Sequence, residues 1–446
     1  MISVALYSQG CKLNQSDAES IRADLVELGG VFLVDWRKPA DVYIINSCTV
    51  TSVAEKQCRK LIRRVSNQNP EALIIVTGCY AQVAPGEVAG LPDVDFVVGN
   101  GNKSEIPALV SAFIDDPVRV RRGSEALANQ KVDSLLRLQS VEGWKHNGFR
   151  DRTRAFLKVQ EGCNHSCSFC VIPMARGTSR SVDIREVVSQ LLHIFDLGQK
   201  EVVFTGIHLG DYGVDRSPAT SLSDLIREAS YALAREGTQG RIRIGSLDPG
   251  EISDDLIHVW ADSPYICPHF HLSLQSCSDE VLFAMNRGYD VATIETVISR
   301  IRNNFRNFSI TVDMLAGFPG ETDQMFAETL SFLENQPVLN GHVFPYSARP
   351  GTPAAKMEPV PSALVAERTV QLRALFARKS TEAARKAIGD QRLILVESSH
   401  DENFVFGKSE DYLPALLRGP ASFTGSTIQA QIIDSRQSTI ICEPTP

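Results

Sequence analysis

The chain has 446 residues, of which 43% are hydrophobic and 22% charged, and its formal net charge is −8 at pH 7. This length is enough for two or three domains with substantial cores. The acidic balance excludes a surface that is basic throughout, so any contact with nucleic acid must use local patches. No apolar stretch is long enough to span a bilayer, and we expect no signal peptide because the chain opens directly into a strand pattern. The ten cysteines are therefore not expected to form disulfides, and a reducing cytoplasm, in which cysteines serve as metal ligands, is the consistent compartment.

The first part of the chain alternates apolar runs with helical patterns. The runs VALYSQGC, DVYIINSC and ALIIVTGC end at Cys11, Cys48 and Cys79 and are typical of buried parallel strands. Helical patterns cover 15–28 and 53–65, which predicts a parallel sheet with right-handed crossovers. The three cysteines would then share the carboxyl edge of the sheet, where open α/β folds bind ligands. Three unrelated buried cysteines are the alternative, but the repeated strand-end position favours a shared metal site.

The predicted helix after Cys48 has a basic side and an apolar side. Its basic residues recur at steps of three and four: Lys56, Arg59, Lys60, Arg63 and Arg64. This side is either an ordinary solvated face or a surface that contacts RNA phosphates beside the cysteines. Cys58 falls on the apolar side and is expected to lie in the core. Further arginines would extend the basic patch: Arg119, Arg121, Arg122, Arg150, Arg152 and Arg154.

A second series of strands and helices begins near Ala155, after a polar connector at 124–148. Its strand candidates are FLKVQ, EVVFTG, RIRIGSL, HFHLSLQ, SITVDMLAGF and HVFPYS. Six strands with intervening helices predict a partial (β/α) barrel, with its chemistry at the carboxyl ends of the strands. A long helix from about Ser362 to Ala387 follows, and LILVES, NFVFGK and IQAQIID then predict a small β-barrel. That last segment holds more acidic than basic residues, so it is a poor candidate for the main RNA contact.

The run EGCNHSCSFC follows the first strand of this series and contains Cys163, Cys167 and Cys170. Three thiolates around one metal centre leave a coordination position open, whereas closed structural zinc sites use four protein ligands. The spacing therefore favours a centre at which a substrate or cofactor binds the metal. A zinc site completed by His165 or by a distant cysteine is the alternative.

The spacing of these cysteines, with an aromatic residue at Phe169, resembles the signature of radical S-adenosylmethionine enzymes. Further motifs resemble the methylthiotransferases: GCKLNQSDAES, NSCTVTSVAEKQCR, TGCYAQ, EGCNHSCSFCVIPMARGTSRS, HLSLQS, GFPGET and FPYSARPGTPAA. The resemblance covers nearly the whole chain. It implies an α/β fold with an N-terminal parallel-sheet domain at 1–140, a central partial (β/α)6 radical S-adenosylmethionine barrel at 145–378 and a small C-terminal β-barrel of the TRAM type at 380–446.

The resemblance also implies two [4Fe-4S] clusters. The cysteines of the EGCNHSCSFC run would hold the cluster that cleaves S-adenosylmethionine to methionine and a 5′-deoxyadenosyl radical. The three strand-end cysteines would hold the second cluster, which carries the sulfur. Lys12 and the tetrad from Cys48 to Thr51 resemble the enzymes that methylthiolate C2 of N6-threonylcarbamoyladenosine at tRNA position 37, in the anticodon loop. A low-potential electron donor and a sulfur source would be further partners.

Three other functions stay open on the sequence alone. Two of them are enzymatic: methylthiolation of isopentenyladenosine 37 in tRNA, or methylthiolation of ribosomal protein S12. In the third, the chain is a non-catalytic metal-cluster protein that binds nucleic acid. The last of these explains the cysteines but leaves the GFPGET and FPYSARPGTPAA runs without a role.

Contacts to S-adenosylmethionine beyond the cluster are expected at strand ends. By resemblance, the candidates are Phe169, Gly206, Ser246, Asp248 and Gln275. Each of the strand-end residues has the alternative role of closing the barrel. Cys277 replaces the glycine that is common in the family and is expected to pack at a turn. His208 and His271 are expected to be core histidines rather than catalytic groups.

Overall fold

The computed structural model describes residues 1–117, 120, 129–135, 138–141, 144–148 and 152–445. Its main sheets are a six-stranded parallel sheet, a curved wall of parallel strands and a closed five-stranded barrel, so the predicted α/β fold with a small C-terminal β-barrel is confirmed. Within the described part of the chain, no helix combines the length and apolar content needed to cross a membrane. Four arginines of the predicted basic patch lie outside the described residues: Arg119, Arg121, Arg122 and Arg150.

The N-terminal sheet has six parallel strands in the order β2-β1-β3-β4-β5-β6. Its strands are β1 (Ile2–Ser8), β2 (Val31–Val34), β3 (Val42–Ser47), β4 (Leu73–Gly78), β5 (Phe96–Val98) and β6 (Gln130–Lys131). Its helices are α1 (Lys12–Leu28), α2 (Ser52–Gln68), α3 (Cys79–Val83), α4 (Pro85–Ala89) and α5 (Ile106–Asp115). Every residue of β3 and β4 is buried because helices cover both faces of the sheet. Burial on both faces explains why these strands are almost continuously apolar.

Two strands of this sheet, β2 and β6, were not predicted. Both lie at the edges of the sheet, and they contain only four and two residues. Strand β2 (VFLV) is apolar but has only four residues, and β6 (QK) has no apolar residue, so neither has the longer apolar run that marks a central strand. Their position depends on pairing with β1 and β5 rather than on their own sequence.

The central unit is a curved wall of parallel strands in the orders β11-β10-β7 and β12-β13-β14-β15. Its strands are β7 (Arg154–Lys158), β10 (Glu201–Thr205), β11 (Arg241–Ile244), β12 (Ser246–Leu247), β13 (His269–Gln275), β14 (Ser309–Ala316) and β15 (Val338–Pro345), with a small antiparallel pair, β8 (Gln160–Glu161) and β9 (Arg180–Ser181). The predicted strand RIRIGSL is divided at Gly245 into β11, which pairs with β10, and β12, which pairs with β13. A side chain at Gly245 would meet the carbonyl of Phe204 at 2.9 Å, so this close approach requires glycine.

Helices follow the strands of this wall in the chain. They are α6 (Ile172–Arg176), α7 (Ile184–Asp196), α8 (Leu222–Glu236), α9 (Asp254–Asp262), α10 (Asp279–Ala284), α11 (Val291–Asn304), α12 (Asp323–Asn335) and α13 (Ser362–Lys386). Five of them begin at a side chain that accepts a hydrogen bond from the first turn: Asp183, Ser221, Ser253, Asp290 and Thr322. These side-chain caps define where the helices begin, so the residues at the strand ends remain available to form the site. Short 3-10 turns lie at Lys103–Glu105, Leu209–Asp211, Pro249–Glu251, Pro353–Lys356 and Ala421–Phe423.

The C-terminal barrel closes in the order β16-β17-β18-β20-β19. Its strands are β16 (Gln391–Ser399), β17 (Phe404–Ser409), β18 (Pro414–Arg418), β19 (Thr427–Arg436) and β20 (Thr439–Pro444). The sequence predicted three of these five strands, and it missed β18 and β20, which have only five and six residues. The barrel docks through arginines of β11, since Arg241 donates to the carbonyl of Leu393 at 2.8 Å and Arg243 donates to that of Glu410 at 2.9 Å.

Candidate active site

Three strand ends of the N-terminal sheet each carry a cysteine. Cys11 follows β1, Cys48 follows β3 and Cys79 follows β4, so the three share one carboxyl edge. Gly10 (φ +97°) brings the first two loops together, because a side chain there would lie 2.8 Å from Cys48 Sγ. Cys48 and Cys79 are buried, whereas Cys11 is exposed. Burial of its sulfur nevertheless raises the pKa of the Cys11 thiol.

The protein around Cys48 disfavours a free thiolate. Burial and, to a lesser extent, the neighbouring Cys79 raise the pKa of the Cys48 thiol to about 12. A metal ion supplies the positive charge that keeps such thiols deprotonated. The chemistry of this set of three therefore fits metal ligands better than reactive free thiols.

A buried arginine connects this edge to the central barrel. Arg176 ends helix α6, which begins two residues after Cys170. Its Nε donates to Cys79 Sγ at 3.3 Å, and its Nη1 donates to Asp17 at 2.8 Å and to Glu161 at 2.6 Å. The side chain is fully buried, so a single residue joins the two cysteine-containing regions.

Two lysines complete a buried charge network around Arg176. Lys103 and Lys158 contact the two carboxylate oxygens of Asp17 at 2.5 and 2.6 Å. Burial opposes ionisation of Asp17, but the three cations outweigh it and hold the pKa of its carboxyl well below the usual value. With Glu161 as the second carboxylate, the network has one more positive than negative charge. This excess complements thiolates and an anionic cluster at the same edge.

The second set of cysteines lies on the loop after β8. Each of its sulfurs accepts one hydrogen bond: Cys163 Sγ from the His165 backbone N–H at 3.4 Å, Cys170 Sγ from the Ile172 backbone N–H at 3.4 Å and Cys167 Sγ from Arg287 Nη1 at 3.2 Å. Burial raises the pKa of the Cys163 thiol to about 12 and that of Cys170 to about 11. N–H donors of this kind orient the sulfurs and tune iron–sulfur clusters.

The residues predicted to contact S-adenosylmethionine surround this loop. Phe169 packs edge-on against Phe318 at 6.4 Å. Gly206 follows β10, where a side chain would meet Gln160 Oε1 at 2.7 Å. Ser246 is half-buried at the start of β12. These three positions enclose the carboxyl edge of the barrel.

Asp248 and Gln275 have more specific surroundings. Asp248 forms an ion pair with Arg287, the residue that also contacts Cys167. Gln275 ends β13 with φ +63° and lines a cavity together with Cys170. Arg287 was not predicted, because it lies 120 residues from Cys167 in the chain and no local pattern marks it.

A polar cluster stands beside Cys163, and it alters the interpretation of His208. The ligand atoms of His165, His208, Asp211 and Glu251 lie within 4.8 Å of one another. Burial opposes protonation of His208, but contact with Glu251 outweighs it and raises the pKa of the imidazole. His208 is therefore part of this cluster rather than a simple core histidine. His271, by contrast, is buried and pairs with Asp313 at 3.0 Å.

A cavity of about 240 Å³ lies between the two cysteine sets. Val50 and Thr51, which follow Cys48, line it on one side, and Cys170 lines it on the other. Its remaining walls are Phe169, Val171, Ile172, Gln275, Asp313, Leu315, Phe344, Pro345, Tyr346, Ser347 and Arg349. A larger cleft of about 760 Å³ lies over β1 and β2, but none of the six cysteines lines it. We therefore take the smaller cavity as the reaction site.

The basic stripe on α2 begins at the mouth of this cavity. Lys56, Lys60, Arg63 and Arg64 are exposed, and Cys58 is fully buried as predicted. Arg59 differs from the prediction, because it is only partly exposed and is already paired: it donates to Tyr80 at 2.6 Å and to Glu87 at 2.8 Å. Arg154 also differs, because it pairs with Glu397 at 2.8 Å instead of extending a surface patch. Arg152 is exposed and donates to Gln15.

Family models match two parts of the chain. Residues 157–333 match the radical SAM superfamily, and residues 3–99 match the uncharacterized protein family UPF0004. Among solved structures, the methyltransferase TsrM from Kitasatospora setae, described as a radical S-adenosylmethionine enzyme with cobalamin and a [4Fe-4S] cluster bound, aligns with a TM-score of 0.56. That alignment covers 79% of this chain and 76% of TsrM at 14% identity, so the likeness shows the fold alone.

Curated relatives match nearly the whole chain. The threonylcarbamoyladenosine tRNA methylthiotransferase MtaB of Bacillus subtilis is 36% identical over 97% of this chain and 94% of its own length. The MtaB of Aquifex aeolicus is 37% identical, covering 92% and 97%. A tRNA-2-methylthio-N(6)-dimethylallyladenosine synthase from Corynebacterium diphtheriae is 34% identical, covering 87% and 75%. On this similarity and the geometry of its cysteine loop, the chain belongs to the radical S-adenosylmethionine tRNA methylthiotransferases, enzymes that use S-adenosylmethionine and a [4Fe-4S] cluster to transfer sulfur.

Proposed function

We propose that this enzyme methylthiolates C2 of N6-threonylcarbamoyladenosine at position 37 of tRNA, and that it uses two [4Fe-4S] clusters. The observation that carries the proposal is the cavity between two separate sets of three cysteines. Cys170 lines it from one side, and Thr51, three residues after Cys48, lines it from the other. A base in this cavity would face a radical source and a sulfur source at once. The names of the more similar relatives support the choice of nucleoside.

The surroundings of both cysteine sets fit iron–sulfur clusters. The imidazole Nε2 of His165 faces Asp211 at 3.7 Å and Glu251 at 3.9 Å, and its ring packs against His208. This orientation weighs against a zinc site that His165 would complete. Each sulfur of the loop also accepts an N–H hydrogen bond, as cluster thiolates commonly do. A coordination position thus stays open for S-adenosylmethionine.

The chemistry requires a radical because an unactivated aromatic C–H bond offers no acidic proton. When bound, the cluster of the EGCNHSCSFC loop supplies the electron that cleaves S-adenosylmethionine, and the cluster of the strand-end cysteines supplies the sulfur that becomes methylated and joins C2. The protein holds the reactants in place and excludes water. Arg287 fixes Cys167 against Asp248, and Phe169 and Gln275 form the wall against which S-adenosylmethionine binds.

The position of the cavity mouth indicates which surface of the protein would bind tRNA. Lys56, Lys60 and Arg63 are exposed on α2, and ion pairs to them are absent within the described residues. Val50 and Phe344 are 45% and 41% exposed and line the cavity. An anticodon loop can place its phosphates on the basic stripe and an unstacked base against these apolar side chains. In this arrangement, tRNA binding does not require a basic surface on the C-terminal barrel.

The proposal extends to the organisation of the chain. The second cluster belongs to a domain at 1–140, the S-adenosylmethionine chemistry to a domain at 145–378, and the closed barrel at 380–446 is TRAM-like. The reaction requires a low-potential electron donor and a sulfur source, and a cytoplasmic location suits both the tRNA substrate and the reduced cysteines.

The test starts from protein purified without oxygen and reconstituted with iron and sulfide. We expect about eight irons for each chain, as two four-iron clusters require, and C2 methylthiolation of an anticodon stem-loop that carries threonylcarbamoyladenosine. About four irons would contradict the two-cluster proposal. Activity only on isopentenyladenosine RNA or on ribosomal protein S12 would contradict the assigned substrate, and zinc without iron would favour the non-catalytic alternative.

A further inference from the structure

Lys12 places a half-buried positive charge beside the strand-end cysteines. It is the first residue of α1 and follows Cys11 directly. Its ammonium interacts electrostatically with Asp313 of β14 and with Tyr412 of the C-terminal barrel. Lys12 therefore lies where the N-terminal sheet, the central wall and the C-terminal barrel meet.

The charged groups around Lys12 already have partners of their own. Asp313 pairs with His271 at 3.0 Å, and Lys408 lies 4.1 Å from the ring centre of Tyr412. The two nearby arginines are also paired, Arg154 with Glu397 at 2.8 Å and Arg243 with Glu201 at 2.8 Å. In the part of the chain that the structure describes, Lys12 itself has neither an ion pair nor a hydrogen bond from its side chain. A half-buried cation without a partner is a site for an anionic group.

The cavity between the cysteine sets and Lys12 have a common neighbour in Asp313. Asp313 lines the cavity and also interacts electrostatically with Lys12, which places the ammonium near that wall of the cavity. An adenine whose C2 lies between the cysteine sets would extend its N6 substituent toward that wall. In threonylcarbamoyladenosine this substituent ends in a carboxylate and carries a hydroxyl group. The isopentenyl group is apolar and uncharged.

We propose that Lys12 binds the threonyl carboxylate of the target nucleoside and thereby selects N6-threonylcarbamoyladenosine over adenosines with an apolar N6 substituent. This inference rests on the proposed function and names the residue that would distinguish its substrate. Asp313, held by His271, is placed to accept a hydrogen bond from the hydroxyl or the ureido N–H of the same substituent. A site built for a carboxylate rejects analogues that lack one, because its own charge is then buried and unpaired.

The experiment compares protein variants and RNA variants in the same assay. Anticodon stem-loops of one sequence carry either threonylcarbamoyladenosine, its methyl ester, or isopentenyladenosine at position 37. The proteins are wild type, Lys12→Met, Lys12→Arg and, as a matched surface control, Lys38→Met, since Lys38 is exposed and away from the cavity. Iron content and S-adenosylmethionine cleavage without RNA report whether each variant keeps its clusters.

We expect Lys12→Met to lower kcat/KM for the threonylcarbamoyl RNA by about 10- to 100-fold, the range for a lost charge-assisted hydrogen bond. Lys12→Arg should recover part of this loss, and Lys38→Met should match wild type. The methyl ester should cause a similar loss in wild type and little further loss in Lys12→Met, because both changes remove the same interaction.

Two results would contradict the inference about Lys12 or the proposed function, and they can be told apart. If wild type methylthiolates the acid and its methyl ester equally well, Lys12 does not read the carboxylate, although the proposed function stands. If wild type acts on isopentenyladenosine RNA and not on threonylcarbamoyl RNA, the proposed function itself fails. Should Lys12→Met lose iron, the ester comparison in wild type still decides the inference.

Discussion

At the scale of single residues, the two cysteine sets share a feature that their spacing does not reveal. A buried arginine contacts one sulfur in each set, Arg176 at Cys79 and Arg287 at Cys167. Hydrogen bonds and positive charge near a cluster stabilise its reduced form, which is more negative. Each arginine also pairs with a carboxylate, Asp17 or Asp248. The arginines thus link the two cysteine sets to the buried framework of the protein.

Substitution of Arg176 by Gln should disturb both folding and the second cluster. It leaves Asp17 and Glu161 with fewer cations in a buried site, a change that typically costs about 3–5 kcal/mol. We expect a lower unfolding midpoint and loss of roughly half of the reconstituted iron. Arg176→Lys is the matched control, since it keeps the charge without the forked geometry. An unchanged midpoint and full iron content in Arg176→Gln would show that the network does not support this site.

Separate substitutions of the cysteines should divide the reaction into two halves. Cys163→Ala should abolish cleavage of S-adenosylmethionine, whereas Cys79→Ala should retain cleavage and lose methylthiolation. The physical reason is that the two sets lie on different loops with separate donors to their sulfurs. Quantification of 5′-deoxyadenosine and of the thiolated nucleoside in one reaction checks both. Loss of cleavage in Cys79→Ala with four irons retained would contradict the division of roles.

The residue scale also shows what the sequence can predict. The cysteines stand out because each set has a local pattern, either a short spacing or a strand end. Arg176 contacts a cysteine 97 residues away, and this contact depends on how α6 packs against the N-terminal sheet. The motif EGCNHSCSFCVIPMARGTSRS contains this arginine, but nothing in the local sequence predicts its contacts. Long-range polar contacts of this kind require the fold.

At the scale of elements, α2 is the helix with the clearest link to a partner. Its N-terminus lies at the cavity mouth, where Thr51 caps it by accepting a hydrogen bond from the Ala54 backbone N–H. The apolar side packs on the sheet through Leu61, Ile62 and Val65. Packing of this side turns the basic side outward. Arg59 is the exception, and only the structure shows that Glu87 and Tyr80 hold it.

Reversal of charge on α2 should weaken tRNA binding. In Lys60→Glu/Arg63→Glu, two exposed cations become anions beside the expected phosphates. We expect a loss of affinity that diminishes at high salt and a salt slope smaller by about 0.7–0.9 for each lost phosphate contact. Fluorescence anisotropy of a labelled tRNA across salt concentrations measures both quantities.

The matched control for α2 is Arg302→Glu/Arg306→Glu, which reverses two exposed cations at the end of α11 and just beyond it. This pair carries the same change in net charge but lies on another helix. Equal losses in the two variants would mean that tRNA responds to overall charge, and α2 would not be the binding surface.

Elements were predicted best where burial imposes a pattern. Strands β3 and β4 are buried along their full length, so they could be predicted directly from their apolar runs. Strands β18 and β20 are short, with exposed or half-buried residues between the buried ones, so their pairing is decided by closure of the barrel. The break at Gly245 was also missed, because it reflects a change of strand partner and not a change in composition.

At the scale of the whole molecule, buried polar contacts hold the three units around one interior space. Arg176 joins the central wall to Asp17 of α1, and Arg349 joins it to Thr49 at 3.0 Å. On the other side, Arg241 and Arg243 reach carbonyls of the C-terminal barrel and also pair with Glu201 at 2.7 and 2.8 Å. The acidic C-terminal barrel therefore has a structural role that needs no RNA contact.

Glu201 is the residue whose removal should separate the C-terminal barrel from the wall. Burial opposes its ionisation, but Arg243, Arg241 and Arg154 outweigh this and hold the pKa of its carboxyl well below the ordinary value of 4.5. A lowered pKa means that the stabilisation is complete above about pH 4.5 and is lost as the pH falls toward the folded-state pKa. Glu201→Gln should therefore cost about 3–5 kcal/mol at pH 7, because it leaves buried arginines without their carboxylate.

Thermal unfolding and limited proteolysis of the cluster-free chain between pH 4 and pH 7 check this expectation together. Wild type should lose stability as the pH falls, while Glu201→Gln should start lower and depend less on pH. Cleavage near Lys386, between α13 and β16, should become faster in the variant at pH 7. Glu236→Gln is the matched control, since Glu236 pairs with Arg235 at the exposed end of α8, and surface pairs contribute about 0–1 kcal/mol. If Glu201→Gln behaved like this control, the arginines of β11 would hold the C-terminal barrel through its backbone carbonyls alone, and Glu201 would not be needed to position them.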